Sequence, residues 1–283
     1  VKKYHNKSEL SHYLDNLRDD GVTIGFVPTM GALHNGHLSL VNTALDENDF
    51  IVVSIFVNPT QFDNQEDLVK YPRTLEEDIN LLKSVSKDKI CVYAPTVEDI
   101  YGKDIVSKSF KFDGLEQQME GAFRAGHFDG VGTIVKRLFE IVEPKKAYFG
   151  EKDFQQLQII KKLVELYNLP VNIVGCPIHR AKDGLAMSSR NTRLTKAHRA
   201  EAPFIYKTLQ SAKAKFKTNS AQKVTKWVEA QFKKNELLEL EYVIIADIST
   251  LKPVKRKSSK RLYRVFIAVY AGDIRLIDNI ALN

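Results

Sequence analysis

The chain has 283 residues, 43% of them hydrophobic, and a formal charge of +7 at neutral pH. It holds no run of about 18 apolar residues, so no membrane-spanning helix is expected, and residues 1–7 lead into a polar helix rather than the apolar core of a secretory signal. Two cysteines, Cys91 and Cys176, lie in apolar strand-like runs; they read as buried free thiols and fit a cytoplasmic location.

Val22, Ile24, Phe26 and Val27 mark a short buried strand over residues 22–27, and Leu38, Val41, Ala44 and Leu45 then recur at helical spacing. Between them lies Pro28-Thr29-Met30-Gly31-Ala32-Leu33-His34-Asn35-Gly36-His37. Two imidazoles three residues apart therefore stand where a parallel strand ends and a helix begins. Open α/β sheets bind nucleotides at that position, and the N–H groups and positive dipole end of a helix N-terminus suit phosphate. The blander alternative packs one histidine and exposes the other. A metal site would need further Cys or His ligands, and none lies nearby.

A second strand, residues 50–57, runs into Asn58-Pro59-Thr60-Gln61. These amides can orient a hydroxylated or carboxylated ligand without a charge to desolvate, although Asn-Pro is equally ordinary turn chemistry. Leu75, Ile79 and Leu82 form a helical stripe, a strand follows over 89–94, and Glu77 and Asp78 are either outer magnesium ligands or, as is commoner on a helix, exposed carboxylates. Within residues 120–128, Arg124 suits a triphosphate or carboxylate, and His127 is either a helix N-cap or a core residue. Val131, Ile134, Val135, Leu138, Ile141 and Val142 then make a wide apolar stripe.

The strand over 147–149 ends in Gly150-Glu151-Lys152-Asp153, where glycine admits a ligand to the backbone and Lys152 can reach a phosphate. Asp153 alternatively caps the next helix, on which it and Gln156 share a side. With a strand over 171–174, the alternation implies a parallel sheet covered on both faces, its strand-end loops along one rim.

After Asp183-Gly184 the rhythm changes. Met187-Ser188-Ser189-Arg190 combines two neutral donors with a cationic fork, a phosphate clamp in composition. Two helices follow, the first with Pro203 in its initial turn or at a kink. Strands over 242–246, 262–270 and 274–277 come next, the last two joined at Gly272-Asp273. The basic run 252–261 lacks interleaved aromatics and reads as a solvated loop. The fold class is α/β: a parallel-sheet domain over 1–178 and a smaller α+β domain over 179–283.

In this order, PTMGALHNGH, FVNPTQF, YPRTLEED, EGAFRAGHFDGV, YFGEKDFQQ, MSSRN and the C-terminal RLIDN resemble the pantoate–β-alanine ligase family of the nucleotidyltransferase superfamily, over nearly the whole chain. Ala125 departs from it; the family commonly has proline there, and its absence is expected to loosen the loop carrying Arg124. The resemblance implies a Rossmann-like domain binding ATP and pantoate, a C-terminal lid domain and a cytoplasmic homodimer. It implies adenylation of pantoate by ATP, then attack of β-alanine to give pantothenate and AMP. It assigns catalysis to His37, His34, Lys152 and Arg190. The ATP site would comprise Met30, Gly31, His34, Gly36, His37, Gly150, Glu151, Lys152, Asp153, His179, Met187, Ser188, Ser189 and Arg190. Gln61, Gln156, Asn58 and Arg124 would contact the other substrates.

Magnesium is expected to be held mostly by phosphate oxygens and water, with no metal site built by the protein. Neither nucleic acid nor membrane is expected as a partner. Two other readings stay open: a transferase passing AMP or CMP to a phosphorylated acceptor, and an RNA-binding or aminoacyl-tRNA synthetase-like protein. Neutral Gln61 and Gln156 disfavour the first, and the small C-terminal domain disfavours the second.

Overall fold

The computed structural model describes residues 1–283, which divide into two compact units, one of residues 1–151 and 156–177, the other of residues 152–155 and 178–283. In the first, β1 (Lys2–Tyr4) precedes α1 (Lys7–Asp19), β2 (Ile24–Thr29) precedes α2 (Asn35–Glu47), and β3 (Phe50–Ile55) precedes α3 (Gln65–Lys70) and α4 (Leu75–Val85). β4 (Ile90–Tyr93) leads to α5 (Val97–Tyr101), α6 (Met119–Phe123) and α7 (His127–Val142), and β5 (Lys146–Gly150), α8 (Phe154–Tyr167) and β6 (Asn172–Cys176) complete the run.

The six strands form one sheet in the order β1-β4-β3-β2-β5-β6, with every neighbouring pair parallel. Residues 50–54 of β3 are buried without alternation, as expected for a strand covered on both faces. Phe26 of β2 meets Phe139 of α7 edge-on, with ring centroids 6.2 Å apart, and Val27, Val41, Ala44, Ile51 and Leu82 belong to another apolar cluster. The strand order reverses between β2 and β5, the switch point at which such sheets open a ligand crevice. Pairing of β2 with β3 runs to Thr29↔Ile55, but pairing with β5 is confined to Gly25↔Lys146 and Phe26↔Ala147. The ends of β2 and β5 therefore lack mutual hydrogen bonds where the histidine loop and Gly150 begin.

In the second unit, α9 (Lys196–Glu201), α10 (Phe204–Phe216) and α11 (Ala221–Phe232) precede the antiparallel sheet of β7 (Glu239–Asp247), β8 (Tyr263–Ala271) and β9 (Ile274–Ala281). Leu209, Phe216, Val228, Phe232, Val265 and Ile267 share its core. Gly272, at φ 63°, makes the expected turn between β8 and β9.

Several details differ from the sequence expectation. β1, α3, α5, α6 and α9 have three to six residues each, too few to carry a hydrophobic period. Pro203 neither enters nor kinks a helix. It occupies the N-cap of α10, where its missing N–H costs nothing, and so separates α9 from α10. The basic run is exposed apart from half-buried Val254, and the Lys257 ammonium donates to the carbonyls of Phe216 (2.5 Å) and Lys217 (2.9 Å) at the negative end of α10. Cys91 and Cys176 are free and buried, and burial pushes the Cys91 thiol up to about 12. No helix is long and apolar enough to cross a membrane.

Candidate active site

The loop after β2 is built to a tight specification. The Thr29 hydroxyl donates to Ser54 O at 2.7 Å and accepts the Gly31 N–H at 3.1 Å. Gly31 turns at φ 86°, and a Cβ there would stand 3.0 Å from the Ile55 side chain and 3.1 Å from Asp78 Oδ2. Asp78 braces the next two residues, accepting the N–H groups of Ala32 (3.0 Å) and Leu33 (2.7 Å), with a third bond from the Thr74 hydroxyl at 3.2 Å. This carboxylate is only 1% exposed, which corrects its expected place on the open face of α4. Its position beside Ile79 and one turn before Leu82 puts it on the buried stripe. Burial raises its pKa, and the hydrogen bonds from Leu33, Thr74 and Ala32 work in the opposite direction.

Both histidines are committed to the start of α2. His34 is the N-cap, and its Nδ1 accepts the Gly36 N–H at 3.1 Å; Nδ1 of His37 accepts the His34 N–H at 3.3 Å. The rings lie 4.1 Å apart between centroids. This reciprocal cap replaces the alternative of one packed and one exposed ring. A ring nitrogen that accepts carries no proton, so each neutral imidazole has its N–H at Nε2. The N–H groups of Gly36 and His37 are already used inside the helix start, the latter on His34 O at 2.8 Å. The donors this terminus can offer a phosphate are therefore imidazole groups rather than those two amides.

Along the same rim, residues 59–61 form a single helical turn after β3. Asn58, 1% exposed, donates to Gln61 Oε1 (3.1 Å) and Gly130 O (3.3 Å), and Gln61 Nε2 lies 3.0 Å from Met30 Sδ. Gly130 permits this approach: a Cβ there would fall 2.3 Å from Thr60 O. Arg124 is held among protein groups, with Nη2 3.4 Å from Gln61 O and ion pairs to Asp63 (3.5 Å) and Glu120 (3.8 Å). His127 resolves as a core residue, since Gly126 is the N-cap of α7. Its Nδ1 donates to Gln61 O at 2.8 Å and its Nε2 faces Arg124 Nη1 at 3.3 Å. Burial and the neighbouring guanidinium push its pKa down to about 4. Met30, Asn58, Gln61 and Arg124 are thus brought together. A cavity of about 360 Å³ opens on this rim, lined in part by Met30, Gly31, Phe56, Arg73 and Thr96. Gly150 ends β5, Glu151 opens the helical turn after it, and Gln156 lies in the first turn of α8, half-buried.

In the second unit, Lys152 and Asp153 lie in that turn with their charged atoms 3.8 Å apart. The Lys152 carbonyl accepts from Asn279 Nδ2 at 2.8 Å. His179 O receives the Met187 N–H at 3.0 Å, and Ser188 caps the short helix Ser189–Arg193 by accepting the Arg190 N–H at 3.3 Å. Arg180 grips Asp278 through two bonds of 2.7 and 2.8 Å while stacking on Tyr206. Sequence reasoning passed over Tyr101, Arg180 and Asn279 as site-building residues. RLIDN was the one signal pointing to Asn279.

No group of three or more His, Cys, Asp or Glu side chains is placed to hold a metal ion. Asp78 is occupied by the loop it braces.

The family model described as pantoate-beta-alanine ligase matches residues 2–281. The pantothenate synthetase of Christiangramia forsetii is 59% identical over the full length of both chains, and that of Flavobacterium psychrophilum 58% identical over 99% of each. Among solved structures, pantothenate synthetase from Thermus thermophilus superposes with a TM-score of 0.91 at 38% identity, covering 100% of this chain and 99% of its own. Pantoate-beta-alanine ligase from Francisella tularensis, solved with a β,γ-ATP compound and β-alanine, gives 0.82 at 36% identity, covering 100% and 98%. With its full length matched in sequence and in fold, the chain belongs to the pantoate–β-alanine ligase family.

Proposed function

We propose that the site performs ATP-dependent condensation of pantoate with β-alanine in two steps. A pantoate carboxylate oxygen attacks the α-phosphorus of ATP, and the bond to the bridging oxygen breaks to release pyrophosphate and leave pantoyl adenylate. The neutral amine of β-alanine then attacks the activated carbonyl. AMP departs with the carbonyl–oxygen bond pair, and the amine loses a proton to give the amide.

The observation that carries this reading is the mutual cap of His34 and His37, which fixes both Nε2–H donors at the end of β2. Negative charge grows on the α-phosphate and leaving pyrophosphate during adenylation. Donors and cations fixed before that charge develops stabilise the transition state over the ground state. His34, His37, Lys152 and Arg190 take this role. Met30, Gly31, Gly36, Gly150, Glu151, Asp153 and His179 line the nucleotide, and Met187, Ser188 and Ser189 close over it. Gln61 and Gln156 hold pantoate; Asn58, buried and fully hydrogen-bonded, supports Gln61 rather than touching substrate, and Arg124 supports Gln61 through its carbonyl. Magnesium enters as part of the substrate, carried on ATP oxygens and water. The C-terminal unit serves as a lid that keeps water from a hydrolysable adenylate. The enzyme works as a homodimer in the cytoplasm, where its two free thiols stay reduced.

Mass spectrometry after incubation with ATP, pantoate and magnesium tests the reaction. Pantoyl adenylate should accumulate without β-alanine and give way to pantothenate and AMP with it. A product that retains the nucleotide in the presence of the amine would make the protein a nucleotidyltransferase instead.

A further inference from the structure

Tyr101, the last residue of α5, stands next to the amide pair and has no part in the reaction above. It is 7% exposed, and the Arg137 guanidinium stacks 4.6 Å from its ring centroid. Its hydroxyl donates to Asn58 Oδ1 at 2.5 Å and lies 2.9 Å from Thr60 Oγ1. The Thr60 hydroxyl is also 3.1 Å from Asn58 Oδ1. Burial raises the Tyr101 pKa, so the phenol keeps the proton it donates.

A side-chain amide has one donor end and one acceptor end, and its partners decide which way it lies. With Oδ1 among hydroxyls, Asn58 turns Nδ2 to Gly130 O, which only accepts, and to Gln61 Oε1. A Gln61 side chain rotated by half a turn would set its NH2 against the NH2 of Asn58. Gln61 is therefore held with its oxygen engaged and its donor end beside Met30.

We propose that Tyr101 is a positioning residue for the hydroxy acid: by donating to Oδ1 it holds Asn58 in the polarity that the Gly130 carbonyl dictates, and so keeps the Gln61 amide offering N–H to substrate oxygen. The proposal rests on the reading that Gln61 holds pantoate. A carboxylate accepts only, so an amide presenting its own oxygen would repel it.

Steady-state kinetics of Tyr101→Phe, Gln61→Ala and the double variant test it, with thermal unfolding as a control. Tyr101→Phe keeps the ring and its guanidinium partner. It should raise KM for pantoate about tenfold with KM for ATP within twofold, an effect that vanishes in the Gln61→Ala background, because a residue acting through another is non-additive with it. Thr60→Val, which removes the second hydroxyl, should act in the same direction and more weakly. An unchanged pantoate KM in Tyr101→Phe, or a rise that persists in full without Gln61, overturns the relay and leaves the Gln61 reading standing. An unchanged pantoate KM in Gln61→Ala alone overturns that reading and the relay with it.

Discussion

The Asp78 carboxylate accepts the backbone N–H of Leu33 at 2.7 Å from 45 positions away in the chain. Together with its bond to Ala32, this holds a turn containing Gly31 at φ 86° and Ala32 at φ 49° directly before His34. Asp78→Ala leaves two N–H groups without their charged acceptor. Hydrogen bonds to charged groups contribute about 1.5–3 kcal/mol each, so a stability loss of about 2 kcal/mol is expected after relaxation. Urea unfolding measures it. Adenylation should slow about tenfold as the imidazoles lose their fixed position. Added magnesium should restore nothing; recovery at high magnesium would make Asp78 a metal ligand rather than a brace.

Lys152 is set by its own backbone, whose carbonyl Asn279 holds at 2.8 Å. If its ammonium stabilises the charge of adenylation, Lys152→Ala should cost about 100- to 1000-fold, the scale for one oriented donor. Pre-steady-state pyrophosphate release reports the step directly. A loss under about threefold would remove Lys152 from the mechanism.

If Gln156 holds pantoate, its removal separates substrate contact from nucleotide contact. Gln156→Ala should raise KM for pantoate by about tenfold or more, the equivalent of one hydrogen bond to a charged group. Calorimetric titration with ATP should stay within severalfold of the parent. A collapse of ATP affinity would place the side chain at the nucleotide.

What the sequence made legible follows the range of the interactions involved. The stripe of α7 and the apolar runs of β2 and β3 are local patterns, and they located the parallel sheet and its rim. His34 and His37 are three residues apart, so their place at a strand–helix junction was visible, but their reciprocal caps were not. Asp78 with Leu33, Tyr101 with Asn58 and Asn279 with Lys152 pair across 45, 43 and 127 positions. Their partners are backbone groups or another side chain's amide, and no spacing rule ties such groups together. Asp78 was misread for a related reason: a carboxylate on an amphipathic helix is ordinarily solvated, and only the loop's unpaired N–H groups make its burial favourable.

Gly130 tests the packing under the amide pair. Its missing Cβ would fall 2.3 Å from Thr60 O and 2.7 Å from Gln61 Cα, both backbone atoms that cannot swing aside. Gly130→Ala must displace the turn at residues 59–61. Overpacking of this kind costs about 1–3 kcal/mol, and the displaced Gln61 should raise KM for pantoate more than KM for ATP. Equal effects on the two substrates would mean that the turn moves without carrying Gln61 with it.

His127 gives the fold a defined response to acid. Its pKa falls from 6.5 to about 4 because the ring is buried and Arg124 faces its Nε2, while Glu120, Asp63 and the Gln61 carbonyl pull weakly the other way. The folded state therefore binds fewer protons than the unfolded state between those values, and stability rises with pH across the interval. The contribution is fully present above pH 6.5 and is lost as the solution is acidified toward 4. Each tenfold difference in proton affinity between the two states is worth about 1.4 kcal/mol, so roughly 2 kcal/mol should disappear between about pH 7 and about pH 4.5. His127→Gln keeps a donor for Gln61 O and removes the titration. Urea unfolding at the two pH values should show the fall reduced by about that amount in the variant. Parallel losses in parent and variant would mean that protonation of His127 is not what acid exploits.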